Sequence, residues 1–286
     1  MPTPLFEVKN LKKFFPIYRG LLNRQIGEVR AVDDVSFVIH EREIVGIVGE
    51  SGCGKSTTAR TAIRLLEPTS GEVYFLGRNF LSLKGKALTL HRQKIQMVFQ
   101  DPLASLNPRK TILDNIGEAL LYHKLIATKQ EQIDHVCEIL KQVGLPISSL
   151  KQYPHQFSGG QQQRISIGRA IAMKPKLIIL DEAVSALDLS VQAQILNLLY
   201  SLKEKLGLSY LFISHDLSVI RCLCDRILVM YQGKIVEEQP TEKLFTSPQH
   251  PYTKQLLNSL PNNLWEQQKP AQRLSKLDKS GYLTNG

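Results

Sequence analysis

Apolar residues recur along this chain in two rhythms. Short runs rich in β-branched and aromatic residues, bounded by Gly, Pro, Asn or Asp, read as strands, and stretches with apolar positions three and four apart read as helices. Phe6–Val8 and Val35–Ile39 are expected to be short strands of an N-terminal β region. Ile44–Val48 is wholly apolar, as a strand buried on both faces must be, and runs at once into a glycine-rich turn. Thr57–Leu66 continues as a helix that Pro68 and Gly71 end. Glu72–Phe75 and Ile95–Phe99 read as further strands, and the stretch from about Thr111 to Val143 has helical periodicity with no convincing strand. Gln161–Met173 is a helix, Leu177–Leu180 a buried strand, Val191–Leu206 a helix, Ser209–Ile213 a strand and Leu217–Cys224 a short helix. Arg226–Tyr231 and Lys234–Glu237 flank Gln232-Gly233, a hairpin turn. A last apolar helix near Leu256–Leu260 precedes a polar tail, Gln267–Gly286, expected to be mobile. No internal repeat is visible, and the alternation of strands with helices predicts an α/β class.

Composition narrows the picture little. The 286 residues are 43% apolar and 22% charged, which is ordinary globular composition and excludes disordered and collagen-like classes. No apolar run approaches the roughly 18 residues that cross a bilayer. Met1 to Glu7 shows no basic run followed by an apolar core, so no secretory signal is read and the chain is expected in the cytoplasm. The net charge of +10 is spread along the chain; its densest cluster is Lys9, Lys12 and Lys13. Charge alone is therefore weak support for an anionic membrane surface and weaker support for nucleic acid. The four cysteines, Cys53, Cys137, Cys222 and Cys224, do not form a disulfide framework. Cys222-x-Cys224 lacks zinc-ligand spacing and reads as packing.

Three motifs carry chemistry. Gly49-Glu50-Ser51-Gly52-Cys53-Gly54-Lys55-Ser56, followed by Thr57, matches the phosphate-binding pattern G-x-x-x-x-G-K-[ST] between a strand and a helix. Its glycines let backbone N–H groups turn toward a β-phosphate, Lys55 adds positive charge for the β- and γ-phosphates, the Ser56 hydroxyl can ligate Mg²⁺, and the helix adds its positive end. The bland alternative is a simple glycine turn. Leu177–Leu180 delivers Asp181 and Glu182 at a strand end, where Asp181 can hold Mg²⁺ and Glu182 can orient or deprotonate an attacking water. Alone, such a run is often a plain strand end. Ser158-Gly159-Gly160-Gln161 opens a helix, and Ser158 can serve as an ordinary N-cap. Cys53 lies inside the loop beside Lys55 and a helix start, so a lowered thiol pKa and raised reactivity are expected, against the alternative that a small side chain simply fits.

In this order the three motifs resemble an ABC ATPase, over roughly Leu5 to Glu242. The resemblance implies an α/β fold, a P-loop NTPase core with an N-terminal antiparallel β subdomain and an inserted α-helical subdomain of about residues 101–168. The ATPase domain would span residues 1–242, and residues 243–286 would form a short extension with the polar tail. It implies that ATP is held by Gly49, Glu50, Ser51, Gly52, Cys53, Gly54, Lys55, Ser56 and Thr57. It also implies that Ser158, Gly159, Gly160 and Gln161 grip the ATP bound by an opposite subunit. Gln100 resembles the family's Mg²⁺- and water-contacting glutamine, so that Ser56, Gln100 and Asp181 would hold Mg²⁺. Ser185-Ala186-Leu187-Asp188 resembles the loop joining the two subunits' sites, and His215 the switch histidine at the γ-phosphate. Gln100, Glu182, His215 and Lys55 are the implied catalytic set. An aromatic residue upstream of the loop stacks on adenine in this family. Phe14, Phe15 and Tyr18 are available, and alignment through Val8-Lys9-Asn10-Leu11 favours Phe15, although the insert Tyr18–Val29 disturbs the register.

Three further stretches resemble the oligopeptide/dipeptide importer ATPases, specifically the second (F-type) ATPase of a pair: Gln100 to Arg109, Tyr153 to Phe157, and Ser247 to Thr253. Pro102 and Pro108 in the first are expected to make a non-helical ledge, which in this family meets a membrane subunit. The resemblance implies a second ABC ATPase chain, two transmembrane permease subunits, an extracytoplasmic substrate-binding protein, and a place on the cytoplasmic face of the inner membrane. Some relatives hold an iron–sulfur cluster in a cysteine-rich C-terminal segment; no cysteine follows Cys224, so none is expected. ABC ATPases of nucleic acid or ribosomes carry paired modules or long coiled-coil or zinc inserts, which are absent from this sequence, and nucleic acid is not an expected partner. A small-molecule phosphotransferase would need no Ser158-Gly159-Gly160 signature. The cargo stays open, because membrane and binding subunits choose it.

Overall fold

The computed structural model describes residues 4–19 and 24–259. The chain opens with β1 (Pro4–Arg19) and β2 (Arg24–His40), a long antiparallel hairpin. The two expected short strands are only its buried end. Pairing continues well past them, with Phe15 opposite Val29 and Arg19 opposite Arg24. The outer half is exposed on both faces, so no inward/outward alternation marks it in sequence and backbone pairing alone carries it. Of the stretch read as an insert, the described residues 18–19 and 24–29 belong to the outer part of this hairpin.

The chain then runs through β3 (Ile44–Val48), α1 (Lys55–Ala62), β4 (Ser70–Phe75), β5 (Arg78–Asn79), α2 (Gly85–Lys94) and β6 (Ile95–Val98). Helix α2 went unpredicted because it buries no residue and so shows no apolar stripe. The proline ledge proves helical at its start. Residues Pro102–Ser105 form one turn, α3, with Pro102 in its first turn and the Asp101 carboxylate accepting the Ala104 N–H at 3.0 Å. Proline belongs in that first turn, where its missing N–H has no partner to lose.

Next come α4 (Ile112–Tyr122), α5 (Lys129–Gln142) and α6 (Gly159–Ala172), then β7 (Leu177–Asp181), α7 (Leu189–Leu206), β8 (Ser209–Ile213) and α8 (Leu217–Leu223). Thr111 and Thr128 cap α4 and α5 by accepting the Asp114 and Glu131 N–H groups. The expected hairpin is β9 (Arg226–Tyr231) and β10 (Lys234–Pro240), and α9 (Thr241–Thr246) and α10 (Pro251–Asn258) follow. The tail at 267–286 lies outside the described residues.

Two sheets organise these elements. One is antiparallel, in the order β2-β1-β4-β5; the other runs β10-β9-β3-β8-β7-β6, and all its pairs except β9–β10 are parallel. The central strands β3, β7, β8 and β9 of the second sheet are buried on both faces, and they divide their side chains strictly by period two. Ile44, Val48, Ile178, Leu180, Tyr210, Phe212, Ile227 and Val229 enter a core shared with α4–α7. Val45, Ile47, Leu177, Ile179, Leu211, Ile213, Leu228 and Met230 enter a second core shared with α1 and the antiparallel sheet. Phe212 is fully buried in the first core. Phe212→Ala is therefore expected to cost about 3–5 kcal/mol of stability, as phenylalanine truncations in packed cores do, while Tyr18→Ala on the exposed hairpin changes it by under about 0.5 kcal/mol; urea unfolding of the two variants measures both.

Candidate functional site

Parallel register brings distant sequence together at one sheet edge. Val98 pairs with Leu180, Asp181 with Ile213, and Ile47 with Ile213. The segments that leave the carboxyl ends of neighbouring strands β3, β8, β7 and β6 are thus level. They carry the loop 49–57, His215, the pair Asp181 and Glu182, and Gln100. This edge is where ligands bind in parallel α/β sheets.

The loop is held from several sides. Gly54 has φ +108°, and a Cβ there would strike the Ala31 carbonyl oxygen, so only glycine fits. The Cys53 carbonyl accepts the Gly233 N–H at 2.9 Å, which ties the loop to the β9–β10 turn. Lys55, almost fully buried, donates from Nζ to the carbonyls of Gly49 and Glu50, both at 2.8 Å. Helix α1 begins at Lys55, two residues ahead of the expected start. Ser51 and Gly52 lie exposed, and Ser56 and Thr57 are half-buried. The Glu50 N–H donates to the Tyr252 hydroxyl at 3.0 Å. No local signal pointed to that partner, which lies on α10.

Asp181 is 1% exposed and joins two residues of one helix face. The Ser56 hydroxyl donates to it at 2.6 Å and the Arg60 guanidinium at 3.1 Å. Arg60 was missed in the sequence, although its spacing of four from Ser56 places both on the same side of α1. A hydroxyl and a carboxylate fixed beside the loop form an oxygen donor set that suits a hard divalent cation.

Glu182 follows with φ +50°, a left-handed conformation that costs a non-glycine residue of order 1–3 kcal/mol. Its N–H donates to the Ile213 carbonyl at 3.0 Å, and its own carbonyl accepts the Ser185 hydroxyl at 2.9 Å and the Ser185 N–H at 3.2 Å. These bonds over-determine the strained backbone. The Glu182 carboxylate lies 3.5 Å from Nδ1 of His215, whose side chain is half exposed. Gln100 is exposed in the bend after β6.

Ser158 is the N-cap of α6 in a reciprocal capping box with Gln161. A Cβ on Gly160 would overlap Val191 of α7, so the second glycine permits close helix packing, and Gly159 faces Leu187. Gly159 and Gly160 are thus set against Leu187 and Val191. Asp188 caps α7, and its carboxyl is held below the usual range by the Val191 N–H and then by the Ser190 hydroxyl.

One expectation is located in the fold and another is overturned. Phe15 lies on the exposed arm of the hairpin, 37% exposed, with the Lys13 ammonium 4.9 Å from its ring centre. The three aromatic candidates Phe14, Phe15 and Tyr18 share this one strand. Cys53 corrects its expectation outright. Burial pushes its thiol up from the ordinary value, and the Lys55 charge and backbone amides pull it down without overcoming that penalty. Cys224 is also raised, by complete burial, and its Sγ packs against the site of Gly46.

Known proteins resemble this chain over most of its length. The ABC transporter family model matches residues 32–185, and a model described as oligopeptide/dipeptide transporter, C-terminal region, matches residues 236–280. The chain is 52% identical over 262 residues to the oligopeptide transport ATP-binding protein OppF of Bacillus subtilis strain 168, covering 91% of this chain and 84% of that protein. It is 47% identical over 259 residues to the dipeptide transport ATP-binding protein DppF of Haemophilus influenzae, covering 91% and 79%. Among solved structures, the ATP-binding cassette MJ0796, dimeric in a post-hydrolysis state with ADP and Pi, aligns with a TM-score of 0.73 and 33% identity over 82% of this chain and 98% of that one. The chain belongs to the ABC transporter family, as an ATP-binding and ATP-hydrolysing subunit. Within that family it is of the oligopeptide/dipeptide importer type. Among the described residues no helix is long and apolar enough to cross a membrane.

The buried, raised thiol sets a chemical expectation. At neutral pH Cys53 will react with a maleimide more slowly than half-buried Cys137, because its sulfur is enclosed and burial favours its thiol form. Mass spectrometry of the labelled peptides over time measures the order; faster labelling of Cys53 would restore the activated-thiol reading.

Proposed function

We propose that this chain is the motor subunit of an importer for dipeptides or oligopeptides, working at residues 49–57, Gln100, Asp181, Glu182 and His215. The observation that carries the reading is their convergence at one sheet edge, with Ser56 and Asp181 in direct contact and His215 beside Glu182. The loop 49–57 takes the phosphates through its backbone amides and Lys55, whose present carbonyl partners a phosphate oxygen would replace. Ser56, Asp181 and Gln100 are the residues for Mg²⁺, which when bound neutralises developing phosphate charge. Glu182 orients the attacking water and accepts its proton, and the strained turn keeps its carboxylate aimed past the strand end. His215, in contact with Glu182, is placed to respond to the γ-phosphate. Phe15, on an exposed strand paired with β2, is the residue for the adenine face.

Ser158, Gly159, Gly160 and Gln161 act on a partner's nucleotide, and the reciprocal capping box that fixes the start of α6 supports that role. Asp188 and its α7 N-terminus sit behind that signature. On this reading residues 1–242 form the ATPase domain with a helical subdomain at about 101–168, and the remainder is a short extension. The partners are a second ABC ATPase chain, two permease subunits and an extracytoplasmic binding protein, and the place is the cytoplasmic face of the membrane. The peptide cargo follows the names of relatives OppF and DppF and the C-terminal match.

Glu182→Gln should bind MgATP as the parent does and lose about 100-fold or more in turnover, the scale of a missing general base; near-normal steady-state hydrolysis in the assembled transporter would remove Glu182 from that role. Ser158→Arg should leave ATP binding at this chain's loop intact and block hydrolysis at the partner's loop, because a bulky cation would enter the facing γ-phosphate site. Complexes carrying one inactivated site read this directly, and a defect confined to the mutated chain's own loop contradicts action across the dimer.

A further inference from the structure

The C-terminal segment reaches back to the phosphate loop along a chain of directed bonds. Glu237, nearly buried on β10, accepts the Gln249 N–H at 2.8 Å on one carboxylate oxygen and the His250 N–H at 2.9 Å on the other. One carboxylate thereby fixes two successive amides at the entry to α10. His250 then caps the helix, its Nδ1 accepting the Tyr252 N–H at 3.2 Å, and Pro251 occupies the first turn. With its entry so constrained, α10 aims Tyr252 inward. The ring packs on Tyr231 of β9, centroids 4.2 Å apart, and is 7% exposed. The one polar atom of the side chain, its hydroxyl oxygen, accepts the Glu50 N–H at 3.0 Å. The carbonyl of the same residue accepts Nζ of Lys55 at 2.8 Å. Glu50 is thus gripped at its N–H by the C-terminal segment and at its carbonyl by the loop lysine. A residue there for packing alone would need the ring and not the oxygen.

We propose that Tyr252 is a positioning residue for the phosphate loop, and that the segment 247–253 is a latch which holds residue 50 in the conformation that receives nucleotide. The proposal rests on the reading that loop 49–57 binds the phosphates of ATP. The latch reduces the ordering that binding would otherwise require, so it sets affinity more than chemistry. Linkage makes the effect reciprocal: whatever α10 contributes to nucleotide affinity, nucleotide returns to the docking of α10.

The test uses the full chain and MgATP. In Tyr252→Phe the ring is kept and one hydrogen bond is lost, which corresponds to an affinity about five-fold weaker. Calorimetric titration should show that loss, and hydrogen exchange should show peptides covering residues 49–54 opening faster without nucleotide. MgATP should slow exchange across α10 in the parent and no longer do so in the variant. Glu237→Gln, which keeps the hydroxyl but weakens the grip on the two amides, should shift the same three readouts in the same direction. Lys55→Ala tests the underlying reading and should abolish binding; retained binding there overturns the phosphate-loop role and the latch with it. If Lys55→Ala loses ATP while Tyr252→Phe keeps the parent affinity, or keeps the parent exchange at 49–54, the latch alone is overturned and the loop stands.

Discussion

Two-sided burial of the parallel sheet is the constraint on which the rest of this structure depends. Each strand must divide alternate side chains between two cores, and a slip of one residue would send Ile178 and Leu180 to the wrong side and Leu177 and Ile179 to the other. That requirement locks the register of β3, β8, β7 and β6. Locked register makes their carboxyl ends level, and level ends bring four segments that lie far apart in the chain to one edge. The site is therefore a consequence of core packing before it is a matter of any local motif.

At that edge the local energetics are set by desolvation and by backbone strain. Asp181 is buried, and its charge is matched by a hydroxyl and a guanidinium from one face of α1. An unpaired carboxylate at that depth would be strongly destabilising. Glu182, the next residue, occupies a left-handed backbone that neighbouring bonds over-determine, which is how strain persists where a side chain must be aimed. Cys53 shows the opposite balance. A lysine and a helix start lie beside it, yet burial outweighs both, and the thiol rises.

The two ends of the chain frame this edge differently. The N-terminal hairpin extends as exposed backbone pairing and presents Phe15 and Tyr18 at its surface. The C-terminal segment is small but directed: a carboxylate, a capping histidine and a packed tyrosine link β10 to the phosphate loop. Between them, the start of α6 sets Gly159 against Leu187 and Gly160 against Val191 of α7.

The turn at 49–57, the Asp181-Glu182 strand end and the cap at Ser158 were legible in the residues themselves, because each depends on spacing along a single turn or strand. Buried strands and amphipathic helices were legible for the same reason: burial leaves a periodic trace. Elements that bury nothing left no trace, so the outer hairpin and α2 appeared only in the fold, and the Pro102 turn became a helix once Asp101 capped it. Arg60 was half legible, through its spacing from Ser56. Tyr252 on Glu50 was not, since about 200 residues separate the partners and only the packing of α10 on β9 joins them. The sign of the Cys53 shift also belonged to the fold. Nearest neighbours along the chain determine which charges lie close to a group, but the depth of water around it is decided by everything packed on top, and there desolvation was the larger effect.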